Sequence, residues 1–131
     1  MKIIQNTLLL GLMIFLSTPA IAVEYDCIVK KKFNSEHTYT KAELEKGKFS
    51  IQISAKGDNA SLSRCSFAHS GEVVTCDKYE ADKVIFDENV KIKKYYVFSS
   101  QFDVQVFSNL SFVENNGRGG ISFGKCNVTS P

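Results

Sequence analysis

Apolar and polar residues alternate with a period of two through most of this chain, the pattern of strands that bury one face and wet the other. Tyr25, Cys27, Val29 and Phe33 alternate with Asp26, Lys30 and Lys32, and Phe49, Ile51 and Ile53 alternate with Ser50, Gln52 and Ser54. Ala60 to Phe67 and Val73 to Tyr79 flank His69-Ser70-Gly71-Glu72. A turn centred on Ser70-Gly71 sets Cys65 opposite Cys76. A two-residue loop would make the two cysteines a hydrogen-bonded pair, whereas a four-residue loop makes them the closer, non-hydrogen-bonded pair that suits a disulfide, so the longer loop is expected.

Further along, Lys83 to Phe86, the turn signal Asp87-Glu88-Asn89 and Val90 to Phe98 predict another hairpin. Ser99-Ser100 follows as a turn or a bulge, and Phe102, Val104 and Val106 then alternate with Asp103 and Gln105. Tyr95-Tyr96 places one ring on each face of its strand. In the last hairpin Asn116-Gly117 has the chemistry of a type I′ turn. Centred there, it puts Phe112 opposite Ile121 and Leu110 opposite Phe123. Strict alternation then turns Cys126 away from the Phe123 face, so a bridge from Cys126 to Cys27 calls for a bulge at Gly124 or a strand that ends first.

One segment breaks the period. Thr40 and Glu43 form a capping box, Tyr39 and Leu44 occupy the positions of a hydrophobic staple, and Gly47 is placed to stop a helix over about 41–46. Strands this closely spaced, with a single short helix, predict an all-β fold: a small antiparallel barrel or sandwich of about eight strands.

The first 22 residues stand apart. Lys2 precedes an apolar stretch from Leu8 to Leu16, broken only by Gly11, and Ala20-Ile21-Ala22 has the small-x-small form of an export cleavage site. The expected organisation is a signal peptide over 1–22, cleaved after Ala22, and a single β domain over 23–131. The apolar stretch is short for a bilayer span of about 20 residues, and no later segment is continuously apolar at that length, so no transmembrane segment is expected after cleavage. Removal of 22 residues from 131 leaves 109, enough for one domain.

Export changes the reading of the cysteines. In the oxidising periplasm or outside the cell, Cys27, Cys65, Cys76 and Cys126 are expected as two disulfides and not as a metal site. Local register favours Cys65–Cys76, and Cys27–Cys126 would tie the first strand to the last; sequential pairing is the alternative. Charge changes the picture less. The leader carries only Lys2, so the remaining charges balance to +1 from 15 basic and 14 acidic residues, which gives no global drive toward nucleic acid or anionic membranes.

Catalytic and metal-binding chemistry is sparsely marked. His37 and His69 sit in predicted loops without a nucleophile elbow, and no zinc or calcium spacing is present, so neither a metal nor another cofactor is expected. Glu72, Asp77, Glu80, Asp82, Asp87 and Glu88 could place a glycosidase pair anywhere, which makes them uninformative. Lys30-Lys31-Lys32 and Lys91, Lys93 and Lys94 form basic clusters that read first as edge protection on strands. The segment with unexplained residues is Asn116-Gly117-Arg118-Gly119-Gly120, where turn chemistry accounts for Asn116 and Gly117 but not for one long cation and two further glycines.

These features lead to an expectation of an exported, non-enzymatic binding or inhibitory protein that engages a protein partner through Asn116 to Gly120. A small-barrel carrier of an apolar ligand comes second, and an envelope glycan hydrolase third.

Overall fold

The computed structural model describes residues 13–16, 22–68 and 72–130. The predicted leader therefore lies outside the described residues except for 13–16 and Ala22, and so do His69, Ser70 and Gly71 of the first hairpin loop. The described residues form nine antiparallel strands in one sheet that curls into a half-barrel, with one short helix. In chain order they are β1 (Ala22–Phe33), α1 (Lys41–Gly47), β2 (Ser50–Lys56), β3 (Asn59–Ala68), β4 (Val73–Glu80), β5 (Lys83–Asp87), β6 (Ile92–Val97), β7 (Phe102–Val106), β8 (Ser111–Asn115) and β9 (Ile121–Ser130). Across the sheet the order is β4-β3-β2-β1-β9-β8-β7-β6-β5, two meanders joined by the pairing of β1 with β9.

The curl follows from one short connection. β4 and β5 lie at opposite margins of the sheet, yet only Ala81 and Asp82 separate them. Ala81 N–H donates to the Ala60 carbonyl on β3 and Asp82 N–H to the Tyr96 carbonyl on β6, both at 2.8 Å, so the chain leaves one margin and joins the other within a single peptide unit. Both margins must therefore meet at this corner, and a flat sheet is excluded.

Burial follows the predicted alternation over most of the sheet. Tyr25, Cys27, Val29, Ile51, Ile53 and Leu62 face inward from the first meander, and Tyr95, Val97, Phe102, Val104, Val106 and Phe112 face them from the second. A large side chain of this kind contributes about 1.5–3 kcal/mol on full burial. Burial also pushes the Tyr95 phenol above its ordinary range, while Tyr96, on the other face, stays partly exposed, as the paired tyrosines predict.

Both predicted disulfides form. Cys27 and Cys126 are direct partners across β1 and β9, with Cα atoms 3.8 Å apart, and Cys65 and Cys76 are direct partners across β3 and β4, at 4.1 Å. The β3–β4 ladder runs out to Ala68 opposite Val73, which leaves the longer, four-residue connection. Helix α1 carries the capping box, with Thr40 Oγ1 accepting from Glu43 N–H at 3.2 Å and Glu43 Oε1 accepting from Thr40 N–H at 3.1 Å. The left-handed C-cap is Lys48, with φ 46°, and not Gly47. Gly47 serves packing instead, because a Cβ there would strike the Phe49 ring.

Three expectations are corrected. β8 and β9 pair Phe112 with Gly124 and Val113 with Phe123, not Phe112 with Ile121 or Leu110 with Phe123. The connection is a five-residue loop over Asn116 to Gly120, closed by Asn116 N–H donating to the Gly120 carbonyl at 3.0 Å, so Asn116-Gly117 is not a two-residue type I′ turn. Leu110 belongs to the preceding turn, with φ 66°. This register turns Phe123 outward and Cys126 inward, and the expected conflict disappears without a bulge in β9 between them.

The bulge lies on the partner strand. β1 slips one residue against β9 between Val29 and Lys31, so Lys32 turns inward, where alternation had placed Phe33. Gly124, opposite Val29, permits this, since any Cβ there would collide with the Ile28 carbonyl and the Phe112 ring.

Candidate functional site

Four features among the described residues can meet a ligand or partner: a groove outside the barrel wall, a more polar hollow of about 480 Å³ beside it over Glu24, Gln52, Ser54, Ser63 and Lys78, a polar mouth at one end of the barrel, and the β8–β9 loop.

The groove exists because α1 stands off the outer face of β1 and β2. Its capping box and αL C-cap fix both ends of a helix with no fully buried residue, and Leu44 and Phe49 pack partly on the core. The space left has a volume of about 740 Å³. Ile28, Leu44, Phe49 and Val74 give it an apolar floor and wall, while Lys30, Lys31, Lys41 and Lys48 stand around it against the acids Asp26 and Glu45. Lys41 lies 4.0 Å from Glu45, an exposed pair worth little in water, and Lys48 sits over the Phe67 ring at 5.4 Å. Two of the three lysines of the 30–32 cluster thus border the groove, and the bulge sends the third elsewhere.

That third lysine lines the mouth, a smaller cavity of about 170 Å³. Here Arg64 Nη2 donates to Glu114 Oε1 at 2.7 Å, and the Glu114 side chain is only 5% exposed. Arg64 also lies over the Phe102 ring at 4.9 Å, and Asp77 is its partner across β3 and β4. Lys32 lies over the rings of Phe49 and Tyr39 at 5.1 and 5.6 Å. Burial lowers the Lys32 ammonium from its ordinary value; Glu114 opposes the fall and Arg64 adds to it. Ser122, also buried, completes the polar wall. Opposite charges stand beside one another here, so the mouth is internally compensated, and a buried pair of this kind is costly to break from either side.

At β6, Lys93 does not protect an edge as its cluster suggested. Its Nζ turns in and donates to Tyr25 Oη at 2.7 Å, over the same ring at 5.2 Å.

The β8–β9 loop is locked by its own side chains. Asn115 Oδ1 accepts from Gly117 N–H at 2.9 Å, and Asn116 Oδ1 accepts from Arg118 N–H at 2.8 Å and Gly120 N–H at 2.9 Å. Gly117, with φ 74°, lies against the Gln101 backbone so closely that a Cβ has no room, and Gly119 takes φ 85°. A Cβ on Gly120 would strike the Asn116 amide, so the positive φ of Gly119 and the close packing at Gly120 account for the two further glycines. Arg118 stays exposed beside them.

The structure keeps the other sequence candidates apart. His37 is exposed and bonds Glu43 across 2.8 Å, a contact that, with the Thr40 amide, holds the Glu43 carboxyl below its ordinary value. His69 lies outside the described residues. Among the carboxylates singled out in the sequence, Asp77 reaches the mouth. Sequence reasoning missed Glu114, although Phe112-Val113-Glu114 on a period of two puts it on the face of the buried Phe112. Among the described residues no group of three or more His, Cys, Asp or Glu could hold a metal ion, and no helix is long and apolar enough to cross a membrane.

No family model, curated protein or solved structure matches this chain.

Proposed function

We propose that this is an exported, non-enzymatic binding protein whose ligand lies in the groove between α1 and the outer face of β1 and β2. The observation that carries the reading is the division of space in the molecule. The interior of the half-barrel is filled by packed side chains, while the groove outside offers about 740 Å³ over an apolar floor, a size typical of small-ligand sites. A carrier that holds its ligand in the barrel lumen finds less support, because the mouth is small and its charges are already paired.

Export is supported by the leader-like sequence and by two intramolecular disulfides, which are consistent with an oxidising compartment. Residues 13–16 of the apolar stretch are 72–88% exposed, so they add nothing to the folded core.

The test is amide shift mapping of the oxidised protein against a library of small amphipathic compounds. Binders are expected to move the amides of α1 and of Ile28 to Lys31. Saturable binders whose shifts fall only on other faces would overturn the assignment.

A second reading is favoured by the locked β8–β9 loop. A rigid loop with one exposed arginine can enter an acidic cleft of a protein partner at little cost in loop ordering. On this reading a partner retained by the protein is lost with Arg118→Ala; retention by both forms would remove it.

A further inference from the structure

Resting on the groove as the ligand site, we propose that its occupant is a monomeric single-chain amphiphile with an anionic head, of the fatty-carboxylate class. The apolar tail would lie against Ile28, Leu44 and Phe49, and the head among the lysines at the groove rim.

Shape argues for a small molecule. The groove is walled on one side by α1 and floored by the sheet, and its volume of about 740 Å³ suits one ligand, whereas stable protein partners are met on broad surfaces of about 800 Å² a side. Along β1, Asp26 to Lys31 spans about 16 Å at roughly 3.3 Å per residue, an elongated trough that fits a chain better than a compact ring.

Charge selects the head. Lys30, Lys31, Lys41 and Lys48 border the groove against Asp26 and Glu45, a cationic excess of two in a protein whose charges otherwise nearly cancel. Lys30, Lys41 and Lys48 are exposed at the rim, so their ammonium groups can follow a head that stays near water while the tail displaces water from the apolar wall. A cationic or uncharged head would leave that excess uncompensated.

The mouth is not the head site. Its guanidinium already holds the Glu114 carboxylate, and an added anion would have to compete with a buried pair.

Calorimetric titration of the oxidised full chain with decanoate, decyltrimethylammonium and acetate, each below its micelle concentration, tests this, with amide shifts to locate the site. Decanoate is expected to bind one to one with shifts at α1 and Ile28 to Lys31, at least tenfold tighter than decyltrimethylammonium; acetate, lacking the tail, is expected not to bind. In the double variant Lys30→Glu/Lys41→Glu, which changes only exposed side chains, decanoate should weaken at least fivefold and the cation should tighten.

Equal affinity for both head charges, with shifts in the groove, would overturn the anionic head and leave the groove as the ligand site. Binding to anionic lipid vesicles without binding of monomeric decanoate would overturn the monomeric ligand. Failure of every decyl amphiphile, with dispersed amide spectra showing an intact fold, would overturn this proposal; the groove assignment itself would then fall only if other ligands mapped elsewhere.

Discussion

Cys27–Cys126 and Cys65–Cys76 are alike locally, each joining residues directly opposite one another on neighbouring strands, but they close segments of 99 and 11 residues. The first bridge lies in the middle of the sheet, where β1 meets β9 and the two meanders become one ladder, and both of its cysteines are buried. The second pins the β3–β4 hairpin at a margin, with Cys76 exposed. One therefore constrains the topology of the whole domain, and the other holds a strand that the hairpin loop already keeps close. Covalent stabilisation is thus concentrated at the join between meanders, while the margin beside the groove depends on local structure.

The largest expected effect is removal of the central bridge. Cys27→Ala/Cys126→Ala should lower stability by about 4–5 kcal/mol on the chain-entropy account of a loop near 100 residues, read from urea denaturation of the otherwise oxidised protein. Glu114→Ala comes next, at about 3 kcal/mol in the same assay, because it leaves Arg64 unpaired in the barrel mouth; the partial exposure of Arg64 keeps the cost at the low end for buried pairs. Cys65→Ala/Cys76→Ala should cost somewhat less than 3 kcal/mol. Equal losses from the two bridges would show that the central one does not constrain the domain more than the marginal one.

Smaller effects are expected on the groove side. Thr40→Ala removes the N-cap of α1 and should cost about 1 kcal/mol, with selective loss of amide protection in the helix by hydrogen exchange. The smallest effect is one of pH. The His37 contact first, and the Thr40 amide after it, hold the Glu43 carboxyl below its unfolded value of 4.5. Its contribution is thus fully present above about 4.5 and is lost as the pH falls through the lowered folded value. The stability gap between the protein and Glu43→Gln, measured along an acid titration, should close over that range.

Where the sequence spoke plainly, single residues carried the signal. Cys65 and Cys76 flank their turn symmetrically, and Thr40 and Glu43 cap a helix by spacing alone, so local chemistry was enough. Lys30-Lys31-Lys32 could not reveal the bulge, because three equal side chains keep the same polarity whichever one is left unpaired. What decides the register is Gly124, nearly 100 positions away, together with the Phe112 ring packed over it. The β8–β9 loop misled for a different reason. Asn116-Gly117 has the chemistry of a tight turn, but Asn115 and Asn116 together with Gly119 and Gly120 build a longer loop, and the inward demands of Cys126 and Glu114 select it. The groove left no trace in the periodicity because it arises from how far α1 stands from the sheet.

The handover of the chain at Ala81-Asp82 has a practical consequence. Ser130 stands opposite Glu24 across β9 and β1, so a short linker could join these strand ends into a ring, and opening that ring between Ala81 and Asp82 would cut no ladder internally. The resulting circular permutant would start with β5 and end with β4, presenting the nine strands to the folding chain in the same order they hold in space.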